Sequence, residues 1–402
     1  MADISSTTAF RTWGFAAAAF GAAVGSACDR SVEAGGTSEL AIDWLDDLQS
    51  AVDTLTARAQ VFVGLNDSLP GHALFDVRAG RFLPGDRFAI LDGGSDEIRV
   101  FDASGELVLR FGSTGAGPEQ FLDAGTFWIE PPDTLAVWDA GGGRFSYWSM
   151  DGRHARTERP HLPTGPEVLG RLTDGSLLAR ESPGHRRMEV GQSRVDSTPI
   201  VRLSKGTLAR ETITRLPYME MHAVPSPTGG RAMYMPMPLT PRSTFAASEN
   251  GFWYSDGSPR ILHYRLSGEP STVFEVEWKP RPVDRSMWET WIEGQAARAP
   301  DFEREAVRRH FRSFEPPVRL PAIDTVAAGD NSVVWVRHYA APGEATATWA
   351  AIKPGAGAIG EAMLPVSFRP LHIQTDRMLG VVRDAMDREI VLVVPITLQP
   401  DP

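Results

Sequence analysis

The chain has 402 residues, of which 42% are hydrophobic and 23% charged, with a formal net charge of −11. This composition excludes a largely disordered chain, a collagen-like chain and a multi-span membrane protein. The excess of carboxylates repels phosphate backbones, which disfavours nucleic acid as a partner, and a single cysteine forbids an internal disulfide.

From the N-terminus, Arg11 is followed by Trp13–Val24, an uncharged run of twelve residues rich in Ala, Phe and Gly. A membrane-spanning helix needs about 20 residues, so this run reads as the apolar centre of a secretory signal peptide over 1–27. Gly25-Ser26-Ala27-Cys28 resembles a bacterial lipobox, with Gly25 where Leu or Val is usual. The resemblance implies that Cys28 is the lipid attachment site. The mature protein would then sit in the cell envelope or periplasm as a membrane-anchored lipoprotein. Plain cleavage after Ala27 is the alternative. Residues 28–48 are expected to form a tether, since Ala34–Ser38 contains only small residues, two of them Gly.

A repeat follows. Leu91–Gly105 aligns without gaps on Trp138–Gly152 at an offset of 47, and a third copy covers Tyr254–Gly268. Each copy reads as strand, Gly/Asp turn, alternating strand and tight turn. Six turns precede such strands: Gly85-Asp86, Pro132-Asp133, Asp174-Gly175, Asn250-Gly251, Asp330-Asn331 and Thr375-Asp376. Six following strands are expected at Ile98–Asp102, Phe145–Ser149, Ile200–Ser204, Ile261–Arg265, Thr348–Lys353 and Glu389–Ile396. Units of about 40 to 50 residues with four strands each are the mark of a β-propeller. The fold expected is therefore all-β: a six-bladed β-propeller of four-stranded antiparallel blades spanning 49–402.

Two spacings are longer than the rest. The first contains Tyr218–Pro241, rich in Met and Pro. It reads as a flexible packing insertion, with Cu(I) capture by thioethers as a rival. The second, 282–317, is a helical insertion between blades 4 and 5. Asp284 can cap its first helix, and Met287, Trp288, Trp291 and Ile292 share one face. Its second helix, near Asp301–Phe314, carries Arg304, Arg308, Arg309 and Arg312 as a solvated face or a contact for anionic headgroups. After Ile396 six residues remain, too few for an outer strand. An N-terminal strand, Ala59–Val63, is expected to pair with the last blade and close the ring.

Ile98–Gly105 with Phe111-Gly112-Ser113-Thr114-Gly115-Ala116-Gly117-Pro118-Glu119-Gln120-Phe121 resembles the bacterial 6-bladed β-propeller family, related to NHL-repeat proteins. Glu119 stands where that family usually has Gly, and Gln120 where it has Glu. The resemblance implies an exported propeller more than any activity.

Candidate chemistry is sparse. Gly112–Phe121 lacks the Lys-Ser/Thr of a phosphate loop and reads as a connection between blades, with Phe121 plugging the sheets. Asp92, Asp139 and Asp256 sit at turns and suit turn hydrogen bonds. The nine His show no HExxH or His-x-His spacing, and no Gly-x-Ser-x-Gly elbow occurs. The innermost strands offer polar residues at the channel mouth, Arg78, Glu130, Arg171, Asp324 and His372, as a possible ligand site. The function expected is an extracytoplasmic, monomeric binding or scaffold module for a protein, peptide or glycan, held to a membrane by its lipid. It requires no cofactor, and no catalytic residue is assigned. The alternative is a metal-dependent hydrolase or lyase with a central-channel site.

Overall fold

The computed structural model describes residues 39–160, 166–183, 187–224, 232–329 and 332–398. The signal peptide, Cys28, His161, His185 and the Asp330-Asn331 turn lie outside the described residues.

A helix that the sequence pattern did not suggest, α1 (Glu39–Arg58), overlaps the expected tether and precedes β1 (Val61–Val63). Its Leu48, Val52 and Leu55 lie at helical spacing and pack on Trp335, Trp349 and Phe368. Six antiparallel sheets follow. The first is β2 (Val77–Leu83), β3 (Arg87–Asp92), β4 (Glu97–Phe101) and β5 (Leu107–Phe111). The second is β6 (Ala124–Glu130), β7 (Thr134–Asp139), β8 (Arg144–Ser149) and β9 (His154–Glu158). The third has five strands: β10 (Glu167–Arg171), β11 (Leu177–Arg180), β12 (Ser193–Leu203), β13 (Arg210–Val224) and β14 (Met233–Pro236). The fourth is β15 (Thr244–Ser248), β16 (Gly251–Ser255), β17 (Arg260–Arg265) and β18 (Pro270–Glu275). Helices α2 (Arg285–Arg298) and α3 (Arg304–Arg312) come next in the chain. The fifth sheet is β19 (Ile323–Ala328), β20 (Val334–His338), β21 (Thr346–Lys353) and β22 (Gly357–Pro365). The sixth joins β23 (Arg369–Ile373), β24 (Arg377–Arg383) and β25 (Glu389–Pro395) to β1.

The expected strands correspond to β4, β8, the end of β12, β17, β21 and β25. Second strands such as β3 and β7 are continuous apolar runs because both their faces are covered. Outer strands such as β5 alternate, since one face meets solvent. The third sheet departs from four strands. Its β12 and β13 run past the short β11, and β13 recruits β14 from the Met-rich segment, in register Met221↔Pro236 and His222↔Met235. Alternation then puts Met219 and Met221 on one face and Met233 and Met235 on the other. Met235 is buried with Val224, Trp288 and Ile292. Four of the segment's five methionines are thus divided between two faces.

The second long spacing is helical. Asp284 caps α2, its Oδ1 accepting from Met287 N at 2.8 Å, and Trp288 and Ile292 are buried. Arg308 reaches Glu293 at 2.9 Å, Arg312 reaches Glu289 at 3.0 Å, and Arg304 reaches Asp301 at 2.9 Å. Most of the basic side of α3 is thus spent within the helical pair rather than offered to a headgroup.

The first strands of successive sheets lie beside one another. Arg81 Nε donates to Phe127 O at 3.0 Å, Arg171 meets Glu130 at 3.2 Å, and Val326 N donates to Thr244 Oγ1 at 3.1 Å. Phe82 N donates to His372 Nδ1 at 3.1 Å, bringing the sixth sheet beside the first. β1 pairs with β25 in register Val61↔Val393 and Val63↔Val391, so both ends of the chain share the sixth sheet.

Phe121 is fully buried between the first and second sheets, 5.9 Å from the Trp148 ring. Gly112 has φ 88°, and a Cβ there would lie 2.5 Å from the Phe121 ring. Phe121→Ala is expected to cost about 3–5 kcal/mol, read as a lower urea midpoint; an unchanged midpoint would remove the plug from the account.

Candidate functional site

Five of the six first strands carry a β-bulge near their start, at Val77/Ala79, Ala124/Thr126, Val168/Gly170, Ile323/Thr325 and Pro370/His372. A bulge turns one side chain away from the regular alternation. Arg78 and Asp324 both sit in such bulges, so they belong to the same end of the strands. Glu130 and Arg171 end their strands and form an ion pair, with Trp128 Nε1 donating to Glu130 at 3.0 Å. Since β2 and β6 run side by side in one direction, Glu130 stands about 20 Å along the strands from Arg78. The five residues proposed from sequence are therefore divided. Asp324 is tied to Arg337, whose Nη1 also donates to Val366 O at 3.1 Å.

His372 is bonded to the first sheet. Its Nδ1 accepts from Phe82 N, and burial pushes its pKa down to about 3, with the charges of Arg81 and Arg377 adding to the shift. An unfolded imidazole binds its proton near pH 6.5, so the unfolded state holds more protons below that value. The stabilisation from His372 is complete above about pH 6.5 and is lost as pH falls toward 3. His372→Gln is expected to flatten stability against pH in this window; an identical slope in both proteins would contradict it.

The end that holds Arg78 is the richer one. Arg78 Nε meets Asp76 at 2.8 Å, and its Nη1 meets Asp123 at 2.7 Å and Ala124 O at 2.8 Å. Burial works against this cation, yet the carboxylates hold its pKa above the ordinary value. Asp96 adjoins the group. It is 6% exposed, its Oδ2 accepts from Thr114 Oγ1 at 3.0 Å, and its buried Oδ1 has no partner. Burial raises the Asp96 pKa, against the Thr114 bond and the Arg78 charge.

The backbone around this cluster is fixed from beneath. Asp92 Oδ1 accepts from Phe75 N at 2.7 Å. Asp139 Oδ1 accepts from Leu122 N, Asp123 N and Gly142 N at 3.1, 2.9 and 3.1 Å. Asp92 pairs with Arg99 at 3.1 Å, and Asp139 with Arg144 at 2.9 Å. The two turn aspartates thus hold each sheet to the segment entering it, a role wider than the local turn bonds expected from sequence. The signal that could have identified the cluster was present in the repeat: Asp76 and Asp123 occupy equivalent positions.

Among the described residues, no group of three or more His, Cys, Asp or Glu is disposed to hold a metal ion. The histidines are engaged separately: His72 with Gly105 O, His222 with Ser193, His263 with Ser248 and Ser271, and His338 against Trp278. No helix among these residues is long and apolar enough to cross a membrane.

No protein-family model matches the chain, and neither does any curated protein sequence. Among solved structures the chain is similar to the exported protein BF0058 of Bacteroides fragilis NCTC 9343. Identity is 13% and TM-score 0.47, covering 84% of this chain and 94% of that one. It is also similar to a member of the duf4221 family from Bacteroides vulgatus, at 10% identity and TM-score 0.45, over 84% and 96% of the two chains. A third is the calcium-binding protein regucalcin from Agrobacterium tumefaciens, at 9% identity and TM-score 0.40, over 86% and 98%. These are likenesses of a propeller-like arrangement of antiparallel sheets.

Proposed function

We propose that this chain is an exported six-bladed β-propeller, anchored by a lipid on Cys28, that acts as a binding or scaffold module. Its ligand sits at the end of the ring where Arg78 lies. Six sheets with neighbouring first strands, and β1 laid on β25, support the blade count. The observation that carries the binding reading is the Asp76–Arg78–Asp123 cluster, a half-exposed array of charged groups bridging two sheets. The apolar run ahead of Cys28 supports export and anchoring.

The test is a thermal-shift panel on the purified protein, with oligosaccharides and tripeptides as probes, beside metal analysis and mass spectrometry of the exported chain. A diacylglyceryl mass on Cys28, and a melting shift that disappears in Arg78→Gly, are expected. Stoichiometric zinc or calcium accompanied by turnover of a lactone or amide would move the assignment to the hydrolase or lyase class.

A further inference from the structure

The first two sheets repeat at an offset of 47, so each residue of one has a counterpart in the other. Phe75 corresponds to Leu122, Asp76 to Asp123, and Asp92 to Asp139. Two of the positions that differ place a charged side chain where the second sheet has glycine. Arg78 stands where the second sheet has Gly125, and Asp96 stands where it has Gly143. Gly143 has φ 57° and Asp96 has φ 53°, the same left-handed backbone. A side chain is disfavoured in that conformation, and glycine fulfils the turn in the sister sheet. The turn therefore does not require Asp96, nor does the bulge require Arg78. Both additions are charged, and they interact with one another.

The cluster keeps polar atoms that have no partner among the described residues. Arg78 uses Nε and Nη1, and among the described residues its Nη2 has no partner. Asp76 and Asp123 each give one oxygen to Arg78, and no described residue donates to the other. Phe75 is 75% exposed beside them. Its backbone is bonded on both sides, since its N donates to Asp92 and its O accepts from Gly94 N at 2.8 Å.

We propose that this surface binds a neutral saccharide, its hydroxyls held by Asp76, Arg78 and Asp123 and a C–H face laid on Phe75. This inference rests on the binding-module reading above and names the ligand of that site. A simple anion is repelled by the flanking carboxylates. A simple cation would use the carboxylates but leave the free Nη2 of Arg78 without an acceptor. A hydroxyl both donates and accepts, so it satisfies either neighbour without a net charge. An exposed aromatic ring adds an apolar platform that a sugar's C–H face covers. Asp96 is a positioning residue: its carboxylate acts electrostatically on the Arg78 guanidinium, whose fork meets paired hydroxyls.

The experiment is calorimetric titration of the purified protein with maltotriose, cellotriose and triacetylchitotriose, each in parallel with tri-lysine and inorganic phosphate. At least one of the sugars is expected to bind. Affinity should fall at least tenfold in Arg78→Gly and in Phe75→Ala, and severalfold in Asp96→Gly. It should be unchanged in the remote Glu269→Gln protein, which alters the net charge as Asp96→Gly does. The glycine variants copy the second sheet, so their melting temperatures should stay near that of the parent, which separates lost binding from lost folding. Binding of tri-lysine or phosphate that depends on Arg78, with no sugar bound, would overturn the saccharide assignment and leave the module reading standing. Silence of every probe here and in the thermal-shift panel would overturn both. Sugar binding that survives Arg78→Gly and Phe75→Ala would place the ligand elsewhere and overturn the inference.

Discussion

Val63→Asp is expected to unfold the protein or lower its stability by at least about 4 kcal/mol. Val63 is fully buried with Val77, Phe101, Leu379 and Val391, where a carboxylate would find neither water nor a partner. The neighbouring Phe62 points outward and is 46% exposed, so Phe62→Asp should cost under about 1 kcal/mol. Urea midpoints of the two variants give the comparison. Displacing β1 also bares the edge of β25, so the Val63 variant should form oligomers in size-exclusion chromatography. Equal effects at positions 62 and 63 would mean that the strand does not close the sheet.

Asp139→Ala should cost about 3–5 kcal/mol, because it strands the buried Arg144 without its counter-ion. The same carboxylate accepts three backbone N–H groups, two of them on the segment that presents Leu122 and Asp123. Arg144 in turn donates to Ala116 O at 3.0 Å and Gln120 O at 2.6 Å in the glycine-rich connection. Replacing both partners, Asp139→Leu with Arg144→Met, removes the lone charge but leaves those amides unpaired. Its loss should therefore fall below the sum of the single losses while remaining above zero. A double variant as stable as the parent would show that the backbone bonds contribute nothing. Strict additivity would show that the two charges do not interact.

Much of the framework was legible because it rests on short-range patterns. The 47-residue offset carried Asp92 onto Asp139, the glycine-rich loop Gly112–Phe121 put Phe121 in the seam between sheets, and the six turns located the strands that follow them. The helix α1 was missed because its stretch, Glu39–Arg58, mixes charged and apolar residues and its apolar stripe gains meaning only against Trp349 and Phe368. The fifth strand of the third sheet was missed because β14 has only four residues, with Pro236 at its end. The candidate site was half visible. Arg78 was singled out, but its partners Asp76 and Asp123 were not, since a bulge decides where Arg78 points and no local pattern announces one. Glu130 and Arg171 look equivalent to Arg78 by residue type alone. Position along the strand separates them, and that is a property of the assembled sheets.

The pairing of β1 with β25 has a temporal side. Val61 and Val63 emerge from the ribosome early, and their partners Val393 and Val391 follow about 330 residues later. At common synthesis rates the wait is roughly 15–65 s. Throughout that interval the sixth sheet lacks most of its members, and apolar stretches of the sheets on either side stay uncovered. Completion of the sixth sheet is thus a late event in synthesis.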